Sequence, residues 1–88
     1  MRPRVAQPDL SDLAEVVGSY VDLSEVVLRP ESVFGNEIPI DSQDMLRVLS
    51  RIQAKYKIAF VPRDLLGLKT LGDLLAIVQR LVERREAQ

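Results

Sequence analysis

Apolar residues recur at helical spacing in three long segments of this chain. In PDLSDLAEVVGSYVDL, one helical face collects Leu10, Leu13, Val16, Val17 and Tyr20. Either Pro8–Asp9 or Ser11 is suited to start this first helix. In SQDMLRVLSRIQAKY, which begins at Ser42, one face collects Met45, Leu49, Ile52 and Tyr56, with Leu46 and Val48 beside it.

The last periodic segment begins after Thr70, a good N-cap residue. Asp73 follows three positions later, where the capping box usually has Glu or Gln, and forms an imperfect capping box. The predicted buried stripe of this helix contains Leu71, Leu74, Leu75, Val78, Leu81 and Val82. Before it, PRDLLG predicts one short helix, with Pro62 in its first turn and Gly67 at its end.

The segment between the first two long helices has no sustained period and contains Pro30, Gly35 and Pro39. Loops this long in small domains are usually held by their own side chains, and we expect Phe34 and Ile38 to do so here. The pattern as a whole predicts an all-α fold. We expect a small four-helix bundle of three main helices and one short helix, with a long loop between the first and second helices.

The predicted domain organisation is a single domain over residues 9–84. Residues 1–8 hold two prolines and few apolar side chains, so we expect a flexible N-terminal tail. Residues 85–88 are expected to fray as a C-terminal tail.

Composition narrows the chemistry available to these 88 residues. The chain contains neither Cys nor His, which removes disulfides, thiolate metal sites and the usual general base near neutral pH. No carboxylate pair stands out either, so we predict no catalytic residue and no metal site. No apolar run approaches the roughly 20 residues that span a membrane. We therefore expect a soluble, cytoplasmic protein without membrane insertion.

Charge is distributed unevenly, although the net charge is only −1. Residues 1–41 carry −5 and residues 42–88 carry +4. In the second long helix, Arg47, Arg51 and Lys55 recur at intervals of four and therefore share one face. Like charges at this spacing oppose each other, so helix stability does not explain them. A solvated face and a partner-docking stripe both stay open. The pI of 5.3, with no aromatic residue between these cations, argues against nucleic acid.

Asp41 and Ser42 stand at the start of the second helix. Two interpretations of Ser42 are open from these residues alone: an unmodified N-cap, and a residue that another enzyme modifies. An acidic group before a helix is favourable in either case.

The residues around Ser42 resemble the acyl carrier protein family. The family pattern runs Phe-x-x-x-Leu-Gly-x-Asp-Ser-Leu, then an amphipathic helix, a short third helix, and Thr-Val opening the last helix. Here Phe34 stands eight residues before Ser42, Ile38 takes the Leu position, Tyr56 closes the second helix, and Thr70–Leu71 take the Thr–Val position. The match runs without a gap from Phe34 to Val78.

This resemblance implies that Ser42 carries 4′-phosphopantetheine, transferred from coenzyme A by a phosphopantetheinyl transferase that Asp41 helps to engage. The thiol of the arm would hold acyl groups as thioesters, and the protein itself would catalyse nothing. Implied partners are acyl-loading and acyl-processing enzymes of the ketosynthase, acyltransferase or ligase type, and we expect a monomer. The family shelters acyl chains between its helices, where candidate lining residues are Leu46, Leu49, Phe60, Leu65, Leu71 and Leu75.

The chain departs from the family pattern at Gln43, where Leu is usual, and at Pro39, where Gly is usual. The family's second helix is usually acidic, whereas residues 43–57 here carry a net charge of +3. The candidate docking residues are Gln43, Asp44, Arg47, Arg51 and Lys55. The basic helix and Gln43 favour a specialised pathway over housekeeping fatty acid synthesis. The alternatives are a peptidyl or aminoacyl carrier and an unmodified helical interaction module.

Overall fold

The computed structural model describes residues 7–87 and consists of three α-helices and one 3₁₀-helix. Helix α1 spans Leu10–Gly18, α2 spans Ser42–Tyr56, a 3₁₀-helix spans Pro62–Leu65, and α3 spans Leu71–Glu86. Residues 7–87 contain no β-strand, only isolated bridges that join Val33 to Thr70 and Phe34 to Ile38. The all-α bundle with a long first loop is confirmed, and the short helix of the prediction is the 3₁₀-helix.

Helix α1 begins with a capping box, in which two aspartates each accept a hydrogen bond from the backbone N–H of the other. The Asp12 backbone N–H donates to Asp9 at 3.0 Å, and the Asp9 backbone N–H donates to Asp12 at 2.9 Å. Asp9 is therefore the N-cap, rather than Ser11. The helix ends at Gly18, so the prediction that Tyr20 continues its buried face is wrong, and 36% of Tyr20 is exposed.

The core lies where one face of each α-helix meets the first loop. Helix α1 packs against both α2 and α3. The side chains with no exposed surface include Leu13, Val17, Ile38, Val48, Ile52, Leu71, Leu74, Val78 and Val82. Ile38 holds the first loop to the core as predicted, while Phe34 is partly buried against it. Leu75 is also only partly buried, and Ile77 takes a buried position that the predicted stripe omitted.

Helices α1 and α2 run antiparallel. Tyr20, just beyond α1, lines a groove with Gln43 near the start of α2, whereas Glu15 lines one with Lys55 near the end of α2. The end of α2 therefore lies near the start of α1. There burial, followed by the negative charges of Asp12, Asp9 and Glu15, raises the pKa of Tyr56. Ser42 therefore lies at the opposite end of the pair from Asp9.

The first loop is fastened to the start of α3 by backbone hydrogen bonds. The N–H groups of Leu71 and Gly72 donate to the carbonyls of Ser32 and Pro30 at 3.0 and 2.7 Å. The Ser32 side chain is buried, and its Oγ accepts from the Arg29 N–H at 2.9 Å. A Cβ at position 72 would lie 2.9 Å from the Pro30 oxygen, so this contact requires glycine.

An ion pair between a buried carboxylate and a half-exposed guanidinium joins the 3₁₀-helix to α3. The Asp64 carboxylate accepts from the Val61 N–H at 3.0 Å and meets the Arg80 guanidinium at 3.2 Å. Asp64 is 9% exposed, so these partners offset the cost of burying its charge.

The ends of the domain differ in part from the predicted tails. The Pro8 side chain is fully buried, and its carbonyl accepts from the Gln79 side chain at 2.9 Å, so Pro8 packs with the domain rather than in a tail. Residues 1–6 and 88 lie outside the described residues. At the other end, α3 continues to Glu86, into the segment expected to fray.

Candidate functional site

Ser42 is the first residue of α2 and is exposed. The residue before it, Asp41, is the N-cap, and its carboxylate accepts from the Asp44 N–H at 2.7 Å. The interpretation of Ser42 as an N-cap is therefore wrong. Within residues 7–87 no hydrogen bond engages the Ser42 hydroxyl.

The start of α2 also leaves two backbone donors unused. The N–H groups of Ser42 and Gln43 bond to no acceptor in the described part of the chain, whereas Asp44 and Met45 donate to Asp41. Unpaired N–H groups and the positive end of the helix dipole favour a negatively charged group at this position. The local chemistry fits a phosphate ester on Ser42.

A small pocket of about 220 Å³ adjoins Ser42. The first loop and the start of α2 enclose it together, and its walls are Phe34, Gly35, Ile40, Asp41, Ser42 and Met45. Ile38 is fully buried and its carbonyl accepts from the Gly35 N–H at 2.8 Å, which holds this part of the loop in place. Ile40 and Met45 lie beside Ser42 because they are two and three positions from it in the chain. Phe34 reaches the same pocket through a turn in which Gly35 has a φ of +85°, a conformation that favours glycine.

The three cations of α2 have different surroundings. The Arg47 guanidinium lies 2.9 Å from the Asp44 carboxylate. The Lys55 ammonium lies 5.5 Å from the ring centroid of Tyr56, a cation–π distance. For Arg51, no carboxylate within residues 7–87 lies at ion-pair distance. The predicted stripe therefore contains one paired arginine, one stacked lysine and one arginine with neither partner.

The exposed residues of α2 line two grooves. The first, of about 470 Å³, joins Tyr20 to Gln43, Leu46, Arg47, Ser50 and Arg51. The second, of about 390 Å³, separates α1 from α2 further from Ser42 and is lined by Glu15, Val16, Ser19, Arg51, Ala54 and Lys55. Of the candidate docking residues, Gln43, Arg47 and Arg51 share the first groove, Lys55 lies in the second, and Asp44 lines neither.

Leu46 is not a core residue. It is 65% exposed at the first groove, whereas Leu49 and Leu71 are buried and Phe60, Leu65 and Leu75 pack partly buried against the core. Leu46 directly follows Met45, and a step of about 100° per residue turns it away from the buried stripe. This angular position relative to the buried residues could have predicted from the sequence that Leu46 is exposed. Its assignment to an acyl pocket between the helices does not fit this position.

None of the helices within residues 7–87 combines the length and the apolar character needed to cross a bilayer. Within the same residues, no three Asp or Glu side chains cluster in a way that could hold a metal ion.

Comparison with known families matches residues 9–78 to the family described as "Phosphopantetheine attachment site". The match covers both sides of Ser42, from the N-cap of α1 into α3.

Individual relatives agree with this match. The chain is 31% identical over 77 residues to the meromycolate extension acyl carrier protein of Mycolicibacterium aurum, covering 88% of this chain and 79% of that protein. It is 26% identical over 72 residues to an acyl carrier protein of Rhodococcus erythropolis, covering 82% and 79%. The solution structure of a holo acyl carrier protein from Geobacter metallireducens superposes with a TM-score of 0.78 at 28% identity, covering 90% of this chain and 91% of that one.

Proposed function

The chain belongs to the acyl carrier protein family, and from this premise we propose that Ser42 is the residue that bears its 4′-phosphopantetheine. The cofactor supplies a thiol on a long arm, on which acyl groups are carried as thioesters. The observation that supports Ser42 is its combination of an exposed, unbonded hydroxyl with two unused N–H groups at a helix start.

Attachment needs an accessible nucleophile and little else from this chain. The Ser42 Oγ would form a phosphodiester with the pantetheine phosphate of coenzyme A, while the bond to the adenosine bisphosphate breaks and the hydroxyl proton passes to a base of the transferase. Asp41 is exposed beside Ser42, and we propose it as a contact for the transferase as well as the cap of α2. Both roles suit a carboxylate at this position.

The protein acts with other enzymes: a phosphopantetheinyl transferase and enzymes that load and process acyl groups. We propose that it is a monomer that catalyses no step itself and binds no nucleic acid. The absence of His and Cys supports the proposal that the protein catalyses no step, since common catalytic nucleophiles and bases are missing. Tethering instead raises the effective concentration of the acyl group at each partner.

We propose a specialised pathway of acyl extension rather than housekeeping synthesis. Two observations support it: the net charge of +3 over residues 43–57, and the similarity to carriers whose names specify meromycolate extension. We further propose that Leu49, Leu71 and the partly buried Phe60, Leu65 and Leu75 make room for the acyl chain.

The site assignment is tested by intact mass after incubation with coenzyme A and a broad-specificity phosphopantetheinyl transferase. Wild type should gain the mass of one phosphopantetheine and one titratable thiol, against a background of zero because the chain has no Cys. Ser42→Ala should gain neither. Ser11→Ala is the matched control, since Ser11 is also an exposed serine in the first turn of a helix. Modification of Ser42→Ala, or none of wild type, would contradict the assignment.

The pathway proposal needs a separate comparison. A housekeeping ketosynthase and malonyl transferase should turn over this carrier more slowly than a carrier with an acidic second helix. Equal turnover would contradict the proposal and leave the assignment of Ser42 intact.

A further inference from the structure

We propose that the groove between Tyr20 and α2 selects partner enzymes that have an acidic contact surface. In this docking surface, defined as Tyr20, Leu46, Ser50 and Arg51, Leu46 is the apolar anchor and Arg51 the principal cation. The proposal rests on the proposed carrier function and adds the chemistry of the partner.

Leu46 has no structural role that accounts for a leucine. It is 65% exposed on a helix whose core contacts come from Val48, Leu49 and Ile52. Tyr20 lies across the same groove and is 36% exposed. Tyrosine and arginine are enriched at the centres of protein interfaces. The exposed leucine beside them adds apolar surface whose burial by a partner is favourable.

Arg51 is the cation best placed to meet a partner. Arg47 already contacts Asp44 at 2.9 Å, and Lys55 stacks on Tyr56 in the second groove. Arg51 lines both grooves and has no ion-pair partner among the described residues. A guanidinium can bond a carboxylate through two parallel N–H groups, which a point charge cannot do. On the surface of a partner enzyme, the side chains that offer this pairing are the carboxylates of Asp and Glu.

The position of the surface suits delivery of a tethered group. Leu46 lies one turn after Ser42, and Arg51 lies about 14 Å along the axis from Ser42 at 1.5 Å per residue. A partner seated on this surface holds the attachment serine near its edge. Glu15 lines the second groove together with Arg51 and Lys55. No acidic residue lines the first groove among the described residues, so the first groove presents positive charge together with its apolar residues.

The test measures how fast the loaded carrier is captured by two ketosynthases. Each carrier variant receives a pantetheine amide whose electrophile alkylates the active-site cysteine of a ketosynthase. One ketosynthase has carboxylates around its active-site entrance, and the other has lysines and arginines. Wild type should be captured faster by the acidic ketosynthase, and the difference should shrink as salt screens the charges.

Arg51→Glu should slow capture by the acidic ketosynthase about tenfold at low salt, because attraction becomes repulsion. Arg84→Glu is the matched control, since it makes the same change in charge at an exposed site near the end of α3. Arg51→Gln should slow capture more than Arg47→Gln or Lys55→Gln. A lysine replacing one carboxylate of the ketosynthase should restore capture of Arg51→Glu.

Leu46→Ala should slow capture about fivefold without a change in salt dependence, because an apolar contact is lost. Val27→Ala is its control, since Val27 is an exposed apolar residue of the first loop, 76% exposed. Equal rates for Arg51→Glu and Arg84→Glu, or faster capture of wild type by the basic ketosynthase, would overturn the proposal. Intact mass reports loading of every variant beforehand, so failure of Ser42 as the attachment site is seen separately.

Discussion

The starts of α2 and α3 differ in how many of their first backbone N–H groups find an acceptor within the protein. At α3 the first four backbone N–H groups, those of residues 71–74, all bond within the protein: two to the first loop and two to Thr70. At α2 only Asp44 and Met45 find acceptors, both on Asp41. The start of α3 is closed, in that the first loop accepts hydrogen bonds from its first two N–H groups. The start of α2 is open, in that the N–H groups of Ser42, the proposed attachment residue, and of Gln43 bond to nothing in the described residues.

Helix starts leave N–H groups that must be satisfied by caps, loops, water or a ligand. At α3 the satisfied donors fix the first loop and hence the walls of the pocket beside Ser42. At α2 the two N–H groups without a protein acceptor are exposed to solvent, so leaving them unpaired costs little stability. They remain available to bond an anion. The hydrogen-bonded start of α3 thus holds the loop that flanks the start of α2, where modification of Ser42 is expected.

The largest expected effect comes from disturbing the closed start. Gly72→Ala should lower the free energy of unfolding by about 2 kcal/mol, because the new Cβ would lie 2.9 Å from a Pro30 oxygen that the Gly72 N–H itself bonds. Urea denaturation measures the change.

Gly18→Ala is the control for that substitution. Its Cβ would meet only the Leu23 side chain at 3.6 Å, an ordinary contact, so the helix propensity of alanine should leave stability unchanged or raised by up to about 1 kcal/mol. Equal responses at positions 18 and 72 would show that the loop does not clamp α3.

A smaller effect distinguishes the cap of α2 from its attachment serine. Asp41→Ala should cost about 1 kcal/mol of stability through the lost hydrogen bond to the Asp44 N–H. Ser42→Ala should change stability by less than about 0.5 kcal/mol, since its hydroxyl bonds nothing in the described chain. Denaturation of the two unmodified variants compares them directly. If Ser42→Ala were as costly as Asp41→Ala, the start of α2 would not be open.

The smallest effect concerns the charge on Asp73 in the closed start. Hydrogen bonds from the backbone N–H groups of Thr70 and Lys69 hold the pKa of this carboxyl below its usual 3.8. A lowered folded pKa means that the ionised form stabilises the protein above about pH 4 and that this contribution fades as pH falls through the folded value.

Asp73→Asn removes that charge and keeps an acceptor oxygen. Wild type should melt at a higher temperature than Asp73→Asn at neutral pH, and the gap should narrow below about pH 4. Melting temperatures between about pH 2 and pH 7 measure it. A gap that stays constant to the lowest pH would mean that the carboxylate charge contributes nothing to the start of α3.

The long helices and the position of Ser42 were predictable because they depend on local pattern. The bounds of α2 and the capping box of Thr70 and Asp73 follow from apolar period and cap chemistry within a few residues. The family pattern from Phe34 to Val78 identified the acyl carrier family for the same reason, since it is a matter of residue type and spacing.

The environments of individual side chains were less predictable. Tyr20 continues the apolar period of α1 in sequence, but the helix ends at Gly18 and the ring lies in the groove beside Leu46 instead. Arg47, Arg51 and Lys55 are equivalent by spacing. Only the neighbours that the fold supplies, a carboxylate for one and a ring for another, make them different.

The sequence by itself determined the three helices, the absence of His and Cys, and an aspartate–serine pair at a helix start. These depend on residue identity and on contacts within a few positions of the chain. Only the tertiary structure decided which helix start is closed, why residue 72 must be glycine, and which cation of α2 has neither a carboxylate nor a ring beside it among residues 7–87. Those outcomes depend on where the first loop returns to α3 and where Tyr20 meets α2, which are contacts between residues far apart in the chain.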